Sequence, residues 1–365
     1  MNILAGLVRS NAVGSKGGGR RVRVFRNRLL LMERHSRQWL AALVIVAGCA
    51  ASAKANLNII ATYDPSIATN ANAAAVETAV GAAITLIDGD VLNNVTVNID
   101  FGIETNPAFL GSSLTTFSNV TYSSYLTALQ TKQTLSANDN TALASLPAGP
   151  NNPVNNTGTI ATTAPLLRAL GFNAPATQAG ISPTNITFDS DITLSLVGQN
   201  LSRPGAATND DLESTVEHEV DEVLGIGGTG SVIVTNAGAL NGAVGPLDLF
   251  RYKGAGMRSF TASTNEISYF SINGGTNKLV NFNQGFGGES DYGDWGDGVG
   301  PADGKGNSPA LVQDAFGTPG SAPDLGVNEL TGLDVVGWNV VPEPSTVALV
   351  VVGFSGMWFI RRRKS

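Results

Sequence analysis

Two short apolar runs, each beside a cluster of positive charge, set the limits of what can fold in this 365-residue chain. The first, Trp39 to Val46, follows Arg34, His35, Ser36 and Arg37 and precedes the small-residue segment Ala50-Ala51-Ser52-Ala53-Lys54-Ala55. That order is the pattern of a secretory signal peptide, cut after Ala53 or after Ala55 by the small-x-small rule. Residues before Met32 read as an over-long start. The second run, Val347 to Ile360, follows Pro342-Glu343-Pro344-Ser345-Thr346 and ends in Arg361-Arg362-Arg363-Lys364. About 20 apolar residues cross a bilayer comfortably, and about 14 closed by four cations make a thin span with its charges on the cytoplasmic side. The expected organisation is residues 1–55 as leader, 56–340 as an ectodomain, and 341–365 as a terminal segment with a transmembrane helix at 345–360 and a basic tail at 361–364.

The terminal order of Pro342, Glu343 and Pro344, a short hydrophobic helix and a basic stop resembles the PEP-CTERM sorting signal of Gram-negative bacteria. That resemblance implies an exosortase-type sorting enzyme as partner, insertion in the inner membrane, and a final place at the cell surface or outside the cell. Val46-Ala47-Gly48-Cys49 also resembles a lipoprotein acylation box, which would make Cys49 a lipidated N-terminus.

Cys49 is the sole cysteine, so a chain that starts at Asn56 forms no disulfide, Cys-zinc site or cysteine nucleophile. Of the 22 Lys and Arg, ten lie in residues 1–55 and four in the tail, whereas 27 of the 29 Asp and Glu stay in the ectodomain. A net charge near −19 repels phosphate backbones and excludes nucleic acid as a partner. The many Gly, Asn, Thr and Ser suit a secreted domain with long polar loops.

Leu57 to Tyr63 reads as a strand ended by Asp64-Pro65, and Ala73 to Leu92 as a helix broken at Asp88-Gly89-Asp90. Asn94 to Phe101 alternates at period two and is the clearest strand; a helix between two strands suggests a crossover unit. Tyr122 to Gln130 and Ala137 to Leu146 read as helices, Pro147 to Thr163 as a loop, and Ile186 to Leu196 as a strand or hairpin.

The stretch Asn209 to Gly225 carries the chemistry. Asn209 or Asp210 caps a helix that Gly225 ends, and Leu212, Val216, Val220 and Val223 form its buried stripe. His218 and Glu222 then stand one turn apart on an adjoining face. The plain alternative is that Glu217, Asp221 and Glu222 are a solvated acidic face. Asp221, three residues from His218, competes for the role of Glu222.

The spacing resembles the zincin motif H-E-x-x-H and its metzincin extension, laid over His218 to Gly228. His218, Glu219 and Gly225 fall on the first ligand, the general base and the turn glycine; Glu222 and Gly228 replace the other two ligands. His218 is the only histidine after the leader, so any site is His plus carboxylates. Leu247-Asp248-Leu249-Phe250-Arg251-Tyr252 and Leu333-Asp334-Val335-Val336-Gly337-Trp338 complete a resemblance to a group of PEP-CTERM-bearing metalloproteases. It implies an α+β zincin-like fold: a mixed sheet, an active-site helix and Gly-rich loops. It further implies a Zn²⁺ centre and Glu219 as base. The resemblance does not fix the third ligand: Asp248, the first acidic residue after the helix, is the candidate and Glu329 the runner-up.

A second acidic stretch, Gly285 to Gly298, sets Asp291, Asp294 and Asp297 among glycines, where hard oxygen ligands suit Ca²⁺. Tyr292 and Trp295 could equally line a substrate cleft. The expected function is metal-dependent peptide hydrolysis. The alternative is a non-catalytic surface or biofilm-matrix protein that keeps the shape and contacts exopolysaccharide.

Overall fold

Alternation at the start of the ectodomain builds a sheet edge by edge, as a computed structural model of the chain shows. It describes residues 57–341 except 106–108, 133, 177, 180–186, 234–241, 286–290 and 299–305. The expected leader, transmembrane helix and basic tail, with Pro342, Glu343 and Pro344, lie outside the described residues. Among those described, no helix is long and apolar enough to cross a membrane.

Strand β1 (Asn58–Tyr63) leads into helix α1 (Ala73–Asp90), and strand β2 (Thr96–Glu104) returns parallel to β1 with Tyr63 opposite Phe101. This is the crossover unit that the sequence predicts. Helix α1 buries Val76, Val80, Ala83 and Ile87, each worth roughly 1.5–3 kcal/mol on leaving water for the larger side chains. It runs through the expected break: Asp88 Oδ1 accepts the β1 amide of Ile59 at 3.3 Å, which ties the last turn to the sheet.

Strands β3 (Gly111–Thr115) and β4 (Phe117–Thr121) and helices α2 (Tyr122–Thr131) and α3 (Ala137–Leu143) follow. The predicted loop over 147–163 holds only in part, because its β-branched end forms β5 (Thr159–Thr163), antiparallel to β4. After α4 (Ala164–Ala169), strand β6 (Ser190–Ser195) lies parallel to β2. The first sheet has the order β1-β2-β6-β3, and β3 runs antiparallel on the open edge.

Helix α5 (Leu212–Leu224) packs beneath that edge. Its N-cap is Asp211, one residue later than expected, whose carboxylate accepts the Ser214 amide at 2.9 Å. Such a cap contributes about 1 kcal/mol. Gly225 ends the helix at φ +97°, a left-handed value that suits glycine. Leu212, Val216, Val220 and Val223 are buried, as their spacing predicts. The solvated-face alternative fails: Glu217 and Asp221 are 0% exposed and Glu222 is 7% exposed. The helix is enclosed by α1 on one flank and β3 on another, which buries Glu217 and Asp221.

A second sheet of short antiparallel strands comes from β7 (Arg251–Gly254), β8 (Met257–Arg258), β9 (Tyr269–Phe270), β10 (Val280–Phe282) and β11 (Trp295–Gly296), in the order β8-β7-β9-β10-β11. Phe270 stacks on Trp295 at 5.5 Å, and the Arg251 guanidinium sits over Phe282. This sheet fixes both ends of the 283–294 connection: the Asn283 amide donates to the Asp294 carbonyl at 2.8 Å. Helix α6 (Val327–Val336) closes the domain. The chain then ties back to the end of α1, where Val340 pairs with Val91 and the Val341 amide donates to the Asp90 carbonyl at 2.8 Å. The architecture is mixed α+β with several sheets.

Candidate functional site

Helical periodicity puts His218 and Glu222 on the face of α5 that looks along β3. The His218 Nδ1 stands 3.0 Å from the Val312 carbonyl, and since a carbonyl only accepts, Nδ1 carries the proton. That fixes the tautomer and turns the Nε2 lone pair inward, the arrangement found for metal-ligating histidines. Nε2 lies 3.9 Å from Glu222 Oε1 and 3.6 Å from Asp294 Oδ2. Zinc bonds of about 2.0–2.1 Å give tetrahedral edges of about 3.4 Å, so both separations from the imidazole are near a usable spacing, and all three donors lie within 4.8 Å of one another.

Each donor is held in place. Glu222 Oε1 accepts the Gly228 amide at 2.9 Å and its Oε2 accepts the Ser113 hydroxyl of β3 at 2.6 Å. A Cβ at Gly228 would stand 2.3 Å from Glu222 Oε1, so any larger residue there would push this carboxylate out of place. Asp294 Oδ1 accepts from the Gln313 side-chain amide at 3.1 Å. That amide also donates to His218 Nε2 at 3.2 Å.

Glu219 is the next residue along the helix, 4% exposed, with Oε2 lacking a hydrogen-bond partner. A Cβ on Gly111 would stand 2.5 Å from Glu219 Oε1, so glycine at the start of β3 is what lets strand and carboxylate meet. Burial first, and then the charges of Glu222 and Asp291, push the Glu219 carboxyl well above its ordinary range. Burial, with Glu222 and Asp291 next, does the same to Asp294. These carboxylates can stay together only by holding protons or by sharing a cation.

The group opens on a cleft of about 500 Å³ lined by Gly111, Ser113, His218, Glu219, Glu222 and Asp294 among others. Asp210, Asp291 and Asp314 add further acid, and no lysine or arginine is among the described residues that line it. Orphaned oxygen, matched spacing and unopposed negative charge together fit a divalent cation.

His218 and Glu222, paired on the sequence by helical spacing, do stand side by side. Asp248 stands elsewhere: fully buried, it accepts from the Ser231 hydroxyl at 2.7 Å and the Gly245 amide at 2.7 Å, and faces Arg251. Glu329 takes the Trp295 indole N–H at 2.9 Å and caps α6 through the Gly326 amide. Both make structural braces, and the carboxylate that stands beside His218 and Glu222 is that of Asp294. Asp221 is not beside His218 either; neither of its oxygens has a hydrogen-bond partner. Of the predicted calcium trio, Asp291 and Asp294 line the cleft with His218, whereas Asp297 does not. Trp295 is wholly buried and absent from the cleft wall, as is Tyr292, whose hydroxyl donates to the Ala262 carbonyl at 3.3 Å. Gln313 and Val312 were not anticipated, because a neutral residue on an irregular segment leaves no sequence signal.

Residues 340–364 match the family described as the PEP-CTERM protein-sorting motif. The chain therefore carries a signal for export and for anchoring at the membrane during processing, read by an exosortase-type sorting enzyme. No curated protein and no solved structure matches the chain.

Proposed function

We propose that the chain is an exported, zincin-like metal-dependent peptidase, delivered by a signal peptide and released or held at the surface of a Gram-negative bacterium. The observation that carries this reading is the convergence of His218 Nε2, Glu222 Oε1 and Asp294 Oδ2 beside Glu219 in an acidic cleft without lysine or arginine among the described residues. These three side chains would hold zinc. When bound there, zinc acidifies a water and polarises a carbonyl oxygen.

The chain's own residues supply the rest. Glu219 accepts a proton at its unpartnered Oε2 and returns it to the leaving amine. A divalent cation among the neighbouring carboxylates would offset the repulsion that raises the Glu219 carboxyl, which favours the base form. Ser113 and the Gly228 amide orient Glu222, and Val312 orients His218. Strand β3 lies on the sheet edge and lines the cleft through Gly111, Ser112 and Ser113. An edge strand offers unpaired backbone groups to an extended chain, so a peptide is the substrate that this surface suits.

Metal content of the purified full chain tests the reading. Stoichiometric zinc, lost in His218→Ala, supports it. Absence of zinc from the wild-type chain defeats it and leaves the matrix protein as the better account.

A further inference from the structure

The three donors described above leave a four-coordinate shell one ligand short, and a buried carboxamide stands beside two of them. Gln313 is 0% exposed. Its amide nitrogen lies 3.2 Å from His218 Nε2 and 3.1 Å from Asp294 Oδ1, and its Oε1 has no hydrogen-bond partner. The NH₂ group thus bridges a lone pair and an anion, the task that a cation performs. The separation from His218 Nε2 matches the edge of a zinc tetrahedron, about 3.4 Å, and the contact to Asp294 is made by the oxygen that does not face His218.

The surroundings are shaped to hold the amide there. Gly227, at φ +58°, lies against it so closely that a Cβ would come within 2.2 Å of the Gln313 nitrogen. The Gln313 carbonyl accepts the Trp295 amide at 2.8 Å, and its own amide faces Glu329 Oε1 at 3.4 Å, so its backbone is fixed from two sides. Nitrogen and oxygen of a carboxamide exchange places by a half-turn about the terminal bond, and their assignment follows from the partners present. With a cation among the donors, the oxygen is the atom that belongs inward.

We propose that Gln313 is the fourth ligand of this centre, its Oε1 completing a shell with His218, Glu222 and Asp294. The proposal rests on the metal reading given above and adds a consequence to it. A shell of four protein donors is closed, as in structural zinc sites, whereas catalytic sites keep one position for water. The neutral amide is the only uncharged oxygen donor of the set and lies off the cleft wall, so the peptidase is latent until this donor gives up its place to water.

Zinc affinity by chelator competition and the visible spectrum of the Co²⁺-loaded full chain test this without recourse to activity. Removing an outer hydrogen-bond partner of a ligand costs roughly 10–100-fold in affinity; removing a ligand costs more. Gln313→Met, close in size and without the amide, should bind zinc more than about 100-fold more weakly and change the Co²⁺ spectrum, which should then respond to added azide. Gln313→Glu, which keeps an oxygen at the same reach, should retain zinc and the wild-type insensitivity to azide; its use guards against a Met variant that does not fold. An unchanged Co²⁺ spectrum in Gln313→Met, or a folded Gln313→Glu that no longer holds zinc, overturns the proposal. If the wild-type chain binds no zinc, the metal reading itself fails. If it binds zinc and His218→Ala does not, while Gln313→Met is indistinguishable from wild type, only the fourth ligand is refuted.

Discussion

Helix α5 carries two acidic clusters, and they are neutralised in opposite ways. On one side Asp211, Glu213, Glu217 and Asp324 surround Arg203. Its Nε donates to Asp211 at 2.8 Å, it bonds Asp324, and it lies 3.3 Å from Glu213 and 3.7 Å from Glu217. On the other side Glu219, Glu222, Asp291 and Asp294 meet around His218, with no arginine or lysine among the described residues of the cleft. Three carboxylates of the first cluster, those of Glu213, Glu217 and Asp324, come as close together as metal ligands do, yet a guanidinium of the same chain already sits among them. The ectodomain's other paired cations are committed elsewhere: Lys132 to Asp139 and Asp334, Arg168 to Asp189, Arg251 to Asp248, Lys253 to Glu266. Close carboxylates alone therefore do not single out the proposed metal centre; what sets it apart is that no lysine or arginine is among the described residues that line it.

Four measurements press on that contrast. His218→Ala should abolish both zinc binding and the thermal stabilisation that zinc confers, which reaches about 4 kcal/mol at a free zinc concentration 1,000 times the Kd; a melting temperature still raised by zinc would erase the distinction. Glu219→Gln should keep stoichiometric zinc and lower peptide hydrolysis by about 10²–10⁴-fold, read in a peptide-library assay. Arg203→Met should destabilise the chain by about 3 kcal/mol in urea, because it strands partly buried carboxylates. Added zinc should not recover the loss, and recovery would show the two clusters to be interchangeable.

The smallest effect concerns Glu217, which burial pushes up to about 8. Between the unfolded value of about 4.3 and that folded value the native state holds a proton that the unfolded chain has released. The group's contribution is therefore full below the lower pKa and is lost as pH rises through the window, by at most about 1.4 kcal/mol per pH unit. Glu217→Gln should flatten this slope while its side-chain oxygen still accepts the Leu325 amide. Urea titrations at pH 5 and 8 that leave the slope intact would place the proton elsewhere, with Asp221 as the next group to examine.

The same contrast explains what could be read in advance. Periodicity located β1, α1, β2 and α5, and the i, i+4 relation of His218 and Glu222, because those are properties of neighbouring residues. It left Glu217 and Asp221 open to a wet-surface reading, because their face is covered by elements distant in sequence. Asp294 was visible as an acid and assigned to a separate calcium loop, since only the β10–β11 pairing shows that its loop swings onto α5. Asp248 was chosen for being next along the chain, a criterion that carries no distance. Gln313 was invisible because its importance lies in a single unsatisfied oxygen.

The tie between Val340 and Val91 gives the sorting signal an unusual neighbour. The matched motif begins at residue 340, so its first position is already woven into the folded body, and the Val341 amide is bonded to the Asp90 carbonyl. Pro342 is the next residue in the chain. An enzyme that grips Pro342-Glu343-Pro344 must therefore dock against the closing turn of α1 or peel Val340 and Val341 away from it, which makes maturation sensitive to how firmly that seam is stitched.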